Sequence, residues 1–135
     1  MPNRIFVDTS FVLALINERD QYHEQAQQLS LKFEQSPLVT TVAVLLEIGN
    51  ALANGFKKEA KAIISLMRNS NRVEVVELDV GTFEKALDMY ETFDDKAWGL
   101  VDCISFVAMQ ERGLIDVLTF DRDFTAAGFN PISSS

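Results

Sequence analysis

The 135-residue chain is predicted to fold as a single α/β domain built on a mostly parallel sheet. Short runs rich in β-branched residues alternate with longer segments in which apolar residues recur every three or four positions. Hydrophobic residues make up 47% of the chain and charged residues 24%, the composition of an ordinary globular domain. We assign residues 1–132 to this domain and expect residues 133–135, three serines, to form a disordered tail.

The first half of the chain contains two strand signals and four helix signals. A β-rich run at 5–7 stops at Asp8, and the N-cap residue types Thr9 and Ser10 begin an apolar helix. A second, polar helix is broken by Ser36-Pro37. The first of these helices is predicted at 11–16 and the second at 21–35. They are followed by a strand at 38–40 and by helices at 41–55 and 57–68.

The second half repeats the alternation. A strand at 73–78 leads into a helix at 79–93, on which Phe83, Leu87 and Tyr90 share one face. The remaining elements are a loop at 94–99, a helix at 100–112 with Gly113 as its C-cap glycine, a strand at 117–120, a short helical turn and a strand at 129–132.

Charge and hydropathy exclude several classes of protein. The net charge of −8 is opposite to that of a protein that coats nucleic acid by charge alone. It leaves an ordinary acidic surface or a group of carboxylates that holds cations. The chain contains no apolar run of about 20 residues and no signal-peptide pattern, so we expect a cytoplasmic protein without membrane contact.

Several common catalytic sites are also absent from the sequence. There is no glycine-rich dinucleotide fingerprint and no phosphate-binding lysine loop. His23 is the only histidine and is expected on the surface, which argues against serine- or cysteine-hydrolase chemistry. Cys103 is the only cysteine, which excludes an internal disulfide, and its apolar neighbours predict that it is buried.

Four acidic residues occupy positions that a parallel sheet would bring together. Asp8 and Asp121 follow the first and fourth strands, and ligands bind beyond the carboxyl ends of such strands. Asp102 lies in the first turn of its helix, and Glu47 interrupts an apolar helical run. Taken singly, each has another explanation: a helix cap, a partner of the helix dipole, a solvent-facing stripe or a turn. Together they would repel one another unless a cation neutralised them, and oxygen ligands favour Mg²⁺ or Mn²⁺.

Four segments resemble the motifs of PIN domains, the fold of VapC-type toxin ribonucleases: IFVDTSFVLAL (5–15), TTVAVLLEI (40–48), LVDCISF (100–106) and LTFDRDF (118–124). The pair Gly128-Phe129 also fits. The resemblance implies a three-layer α/β/α sandwich with a parallel sheet, and an endoribonuclease that uses Mg²⁺ or Mn²⁺. It further implies a homodimer and a cognate antitoxin, the chain being the toxin of the pair.

Carried over by position, the family's four acids correspond to Asp8, Glu47, Asp102 and Asp121, which are the predicted metal ligands and catalytic residues. Asp123 is treated as an auxiliary acid outside the metal shell. The expected reaction is attack of a metal-activated water on an RNA phosphodiester.

Contacts with the RNA are predicted for Ser10, Arg122 and Lys57. Lys57 begins a basic stretch that also contains Lys58, Lys61, Arg68 and Arg72, although such a stretch is equally typical of a solvated helix face.

Two alternatives remain open at this point. One is a non-catalytic or solitary PIN-fold protein that binds RNA or serves as a housekeeping nuclease. The other is an Asp-based phosphatase, which is disfavoured because Ser10 stands where such enzymes need a second aspartate.

Overall fold

The computed structural model describes residues 3–133, and in that range it contains five strands and seven helices. The strands are β1 (Ile5–Val7), β2 (Leu38–Thr41), β3 (Val73–Val76), β4 (Asp116–Leu118) and β5 (Asn130–Pro131). The helices are α1 (Thr9–Ile16), α2 (His23–Lys32), α3 (Val42–Ala51), α4 (Lys57–Asn69), α5 (Val80–Thr92), α6 (Leu100–Glu111) and α7 (Asp123–Ala126). Residues 134 and 135 of the predicted tail lie outside the described residues.

All five strands are parallel, in the order β3-β2-β1-β4-β5. Every residue of β1 is buried, including Phe6 at 0% exposure, so helices cover both faces of the central strand. The predicted α/β class and the three-layer arrangement are therefore confirmed. The chain adds β2 and β3 on one side of β1 and then returns to place β4 and β5 on the other.

The core on one face of the sheet is aromatic. Phe106 of α6 packs edge-on against Phe124 of α7 and Trp98, with ring centroids 5.0 and 5.1 Å apart. Cys103 is fully buried in the same helix, as its neighbours predicted, and burial raises the pKa of its thiol. Among residues 3–133 no helix is both long and apolar enough to cross a bilayer.

Three strands are shorter than predicted: β5 covers only Asn130–Pro131 instead of 129–132, and β3 and β4 are shortened for clear reasons. β3 ends at Val76 instead of residue 78 because its partner Thr41 is the last residue of β2 and the N-cap of α3. β4 ends at Leu118 instead of residue 120. The N–H groups of Phe120 and Asp121 are bonded to side-chain hydroxyls and not to a neighbouring strand.

The helix boundaries also differ from the sequence prediction. Asp8, not Thr9 or Ser10, is the N-cap of α1. The second helix begins at His23 because Asp20 Oδ1 accepts the N–H of Tyr22 and forms a turn there. The third helix ends at Ala51 instead of residue 55.

The expectation that His23 lies on the surface needs correction. His23 is half-buried, and its Nδ1 donates to the carbonyl of Ala14 at 2.8 Å, which ties α2 to α1. The shared face of Phe83, Leu87 and Tyr90 on α5 is exposed, at 39%, 42% and 49%.

Candidate active site

The site lies where the winding of the sheet reverses, between β1 and β4. Asp8 follows β1 directly, and its N–H donates to the carbonyl of Leu118, the last residue of β4, at 3.1 Å. In an open parallel sheet the loops beyond such neighbouring strands diverge and leave a crevice. The sequence therefore places an acid at the position where this fold forms a ligand site.

Two hydroxyl groups hold Asp8 in place. Thr119 Oγ1 donates to Asp8 Oδ2 at 2.7 Å and Ser10 Oγ donates to the same oxygen at 2.8 Å. The same hydroxyl oxygens accept the N–H groups of Asp121 and Phe120, both at 3.0 Å. The two hydroxyl oxygens also lie 3.0 Å from each other, so Ser10, Thr119 and Asp8 form one connected hydrogen-bond network. Asp8 is thus fixed to the loop that carries Asp121.

Three further carboxylates converge beside this network. Carboxylate oxygens of Asp102, Asp121 and Asp123 all lie within 4.8 Å of one another. Asp102 is oriented by Gly99, whose N–H donates to Asp102 Oδ2 at 3.0 Å at the start of α6. Asp121 Oδ1 accepts the N–H of Asp123 at 2.9 Å, which sets the turn into α7. These local roles leave each residue with a second oxygen for other contacts.

The charges in the site act on one another. Desolvation raises the pKa of Asp102 to about 6, and the charges of Asp121, Asp8 and Glu47 add to the rise, while the Gly99 N–H opposes it. Burial also raises the pKa of Asp8, which is 4% exposed, against the lowering effect of its hydroxyl partners. Desolvation and the neighbouring Asp121 raise the pKa of Asp123.

Within the part of the chain that the structure describes, none of these acids forms an ion pair. The ion pairs found among residues 3–133 involve only Glu74 and Glu111, which are outside the site. A group of oxygen ligands that repel one another and have no lysine or arginine among them matches the preference of Mg²⁺ and Mn²⁺. The residues present therefore fit a divalent cation.

Three of the four predicted acids lie at the crevice. Asp8 is hydrogen-bonded to Thr119 there, and Asp102 and Asp121 belong to the group of three converging carboxylates. Glu47, half-buried on α3, is close enough to influence Asp102 electrostatically but lies outside the group. Asp123, which the sequence analysis set aside as auxiliary, belongs to the group. Its position two residues after Asp121, at the first turn of a helix, was the available signal.

The residues predicted to contact RNA are distributed more widely. Arg122 is exposed beside Asp121 and lines an open cleft with Ser10, whose hydroxyl is already engaged with Asp8. Lys57 is exposed, and the adjacent Phe56 packs near Ile16, at the end of α1 away from Asp8. An eight-residue helix is about 12 Å long, so Lys57 lies beyond the immediate site.

Arg72, another cation of the predicted basic stretch, is used elsewhere in the fold. Its Nη1 donates to the carbonyl of Ser36 at 2.8 Å. Two residues later, Leu38 pairs with Val73 at the start of β2 and β3. This is the amino-terminal edge of the sheet, opposite the acids. Arg72 is therefore excluded from the crevice.

Comparison with known proteins agrees with this geometry. The model of the PIN domain family matches residues 5–130. The chain belongs to the PIN domain family. It is 34% identical over 126 residues to the 23S rRNA-specific endonuclease VapC20 of Mycobacterium tuberculosis, a match that covers 93% of the chain and 95% of VapC20.

Solved structures show the same relationship. The crystal structure of VapC20, a sarcin–ricin-loop-cleaving toxin, superposes with a TM-score of 0.86 at 32% identity and covers 96% of this chain and 98% of that one. DNA-bound VapBC from Salmonella typhimurium gives a TM-score of 0.68 at 16% identity, with both chains fully covered. The predicted family and enzyme class, a VapC-like PIN-domain ribonuclease, are therefore confirmed.

Proposed function

We propose that the protein is a Mg²⁺- or Mn²⁺-dependent endoribonuclease that acts as the toxin of a toxin–antitoxin pair and cleaves the sarcin–ricin loop of 23S rRNA. The observation that carries the chemistry is the convergence of Asp102, Asp121 and Asp123 beside Asp8, with no lysine or arginine of residues 3–133 in an ion pair with them. The substrate follows from the 34% identity to VapC20. Ribosomal RNA also agrees with the cytoplasmic location expected from the sequence.

The site residues divide into ligands and the groups that orient them. Asp102, Asp121 and Asp123 would hold the cation, with Asp8 and Glu47 contributing directly or through water. Bound there, a divalent ion lowers the pKa of a coordinated water and stabilises charge on the leaving oxygen of a phosphodiester. Thr119 and Ser10 keep the Asp8 carboxylate in one orientation. Gly99 does the same for Asp102 through its N–H.

The direct test is cleavage of a synthetic hairpin carrying the sarcin–ricin loop sequence, in EDTA and with added Mg²⁺ or Mn²⁺. Wild-type protein is expected to cut only with the divalent ion, and Asp8→Asn to reduce the rate about a hundredfold or more. Asp94→Asn, an exposed acid outside the site, is the matched control and should cut normally. Binding of the RNA without cleavage by the wild type would favour the non-catalytic alternative. Hydrolysis of a phosphomonoester in place of the RNA would favour the phosphatase.

A homodimer is proposed through α5. Its exposed apolar side, formed by Phe83, Leu87, Tyr90 and the 72%-exposed Val80, is the kind of surface that a second protein chain covers. Light scattering on the purified protein should give twice the chain mass, and Leu87→Lys should give the monomer. Leu31→Lys changes an exposed leucine on α2, outside α5, and should remain dimeric. A monomeric wild type would remove this part of the proposal.

A cognate antitoxin is the second proposed partner, since VapC20 is a toxin and the neighbouring folds include VapBC complexes. A small DNA-binding protein encoded beside this chain should co-purify with it on co-expression and suppress cleavage of the hairpin. Absence of such a reading frame would leave a solitary nuclease.

A further inference from the structure

An aromatic cleft opens next to the acids. It has a volume of about 930 Å³ and is lined by Ser10, Leu13, Tyr22, Phe120, Asp121 and Arg122, among others. Ser10 and Asp121 belong equally to the hydrogen-bond network of the acidic site. A molecule bound at the acids therefore reaches the cleft without crossing any other part of the surface.

The wall of the cleft is a stack of rings. Tyr22 and Phe120 lie parallel, with centroids 4.6 Å apart and planes 3° from each other. Phe120 also stacks on the buried Phe11 at 6.1 Å. Phe11 supports the stack from the core, whereas Tyr22 and Phe120 face the cleft.

The position of Tyr22 is fixed before any ligand binds. Its N–H donates to Asp20 Oδ1 at 2.8 Å, and the N–H of His23 donates to the carbonyl of Asp20 at 3.0 Å. The His23 ring then anchors the turn to Ala14. Phe120 is held from the other side, because its N–H is bonded to Ser10 Oγ. Rings held this way lose little conformational entropy when another ring stacks on them.

Resting on the proposed function, we propose that this cleft binds one unstacked base of the RNA, next to the phosphodiester that is cut, by stacking it on Tyr22. Recognition of RNA commonly uses loop bases stacked on aromatic side chains. Arg122 is exposed at the rim and supplies a positive charge for the adjoining phosphate, in a protein whose net charge is −8. Stacking gives the acidic surface a source of affinity that does not depend on net charge.

The test pairs a protein variant with removal of a base. Cleavage of the sarcin–ricin hairpin is compared with cleavage of hairpins that carry a single abasic nucleotide at each position flanking the cut. For the wild type, one abasic position should lower kcat/KM about tenfold to a hundredfold. Tyr22→Leu should lower kcat/KM on the intact hairpin by a similar factor. For this variant, removing the base at that position should cause no further decrease in kcat/KM. Tyr22→Phe keeps the ring and should retain the abasic effect at that position.

The control is Phe33→Leu, which changes a partly buried aromatic residue at the other end of α2 and should keep the full abasic effect. Because each variant is compared with itself on two RNAs, partial unfolding cancels in the ratio. Equal abasic effects in wild type and Tyr22→Leu at every position would overturn the inference.

A second measurement separates this inference from the proposed function. Asp8→Asn protein is titrated with the same RNA pairs without added metal, and binding is followed by fluorescence anisotropy. The Tyr22→Leu change in this background should remove the abasic effect on Kd. If the wild type cuts no RNA but the binding cycle holds, the nuclease assignment fails and the base site stands. If cleavage occurs and neither cycle shows coupling, only the base site fails.

Discussion

Glu74 and Glu111, on the β3 side of the molecule, differ from the acids between β1 and β4 in one respect: they are paired with protein cations. Glu74 binds Arg4 at 2.7 Å and Arg112 at 3.1 Å, and Glu111 binds Lys85 at 2.7 Å. All three pairs are partly exposed, where such contacts contribute about 0–1 kcal/mol each.

The crevice shows the reverse arrangement. Asp102, Asp121 and Asp123 are brought within 4.8 Å of one another with no lysine or arginine paired to them in the described range. Desolvation, with the neighbouring negative charges adding to it, raises the pKa of Asp102 to about 6. The fold pairs Glu74 and Glu111 with cations but leaves Asp102, Asp121 and Asp123 without them. Repulsion among the three aspartates lowers the stability of the folded state. That loss is understandable if an external cation completes the site.

The largest effect should come from giving the crevice its own cation. Asp123→Lys places a positive charge among Asp102 and Asp121, as in the Glu74 pairs, and removes one candidate ligand. We expect Mn²⁺ binding and cleavage to fall about a hundredfold or more. The melting temperature in EDTA should rise, because repulsion is replaced by attraction. Calorimetric Mn²⁺ titration and the hairpin assay measure the first effect, and differential scanning fluorimetry the second.

The control for this variant is Asp94→Lys, which makes the same charge change on the exposed loop before α6. It should leave metal binding unchanged. Full Mn²⁺ affinity in Asp123→Lys would show that Asp123 takes no part in the site, as the sequence analysis first assumed.

A smaller loss is expected from the hydroxyl that orients Asp8. Thr119→Val keeps the shape of the side chain but removes the donor to Asp8 Oδ2 and the acceptor for the Asp121 N–H. Partners of metal ligands typically contribute ten- to a hundredfold to activity or metal affinity, so cleavage should fall by about that factor. Thr92→Val, at an exposed position, is the matched control. Unchanged cleavage by Thr119→Val would mean that Asp8 needs no orientation from this loop.

Part of the fold and of the acidic site could be predicted from the sequence, and part could not. The alternation of strands and helices gave the fold class, and the acids at the ends of β1 and α6 were found because strand ends and first helical turns are recognisable positions. The boundary of β4 was wrong because the hydroxyls of Ser10 and Thr119 take the place of a strand partner. The contact between Phe120 and Ser10 joins positions 110 residues apart and leaves no local pattern in the sequence.

The placement of Asp123 and the exposure of the apolar side of α5 could not be inferred from the spacing of residues in the sequence. Asp123 joins the group only because the turn after Asp121 points it back toward Asp102, which no periodicity indicates. The apolar spacing of Phe83 and Leu87 predicts a helix correctly but does not say whether its apolar side meets this chain or another one.

The pH dependence of the melting temperature should distinguish the crevice, where the pKa of Asp102 is raised, from the region of Asp79, whose pKa is lowered. The raised pKa of Asp102 means that the folded state binds more protons than the unfolded state, so this group's contribution falls as pH rises from about 4 to about 6. In EDTA, the melting temperature of the wild type should therefore fall more between pH 4.5 and 7.5 than that of Asp102→Asn. Added Mn²⁺ at pH 7.5 should raise the melting temperature of the wild type.

Asp79, the exposed N-cap of α5, provides the contrast. Its hydrogen bond from the Thr82 N–H lowers its pKa, so its contribution is lost only as pH falls below about 4. Asp79→Asn should lower the melting temperature by a similar amount at both pH values. Equal slopes for wild type and Asp102→Asn would show that the pKa of Asp102 is not raised in the folded protein.

The smallest effect should come from the paired acids themselves. Glu74→Gln removes the charge that Arg4 and Arg112 share, and exposed pairs of this kind contribute at most about 1 kcal/mol each. We expect a decrease in melting temperature of about 2–5 °C, no change in Mn²⁺ affinity and no change in cleavage of the hairpin. In the double variant Glu74→Gln with Asp123→Lys, the two stability changes should add, because the sites share no partner. If the stability changes of the double variant do not add, the charge of Glu74 affects the acids of the crevice through the sheet. The two regions would then not be electrostatically independent.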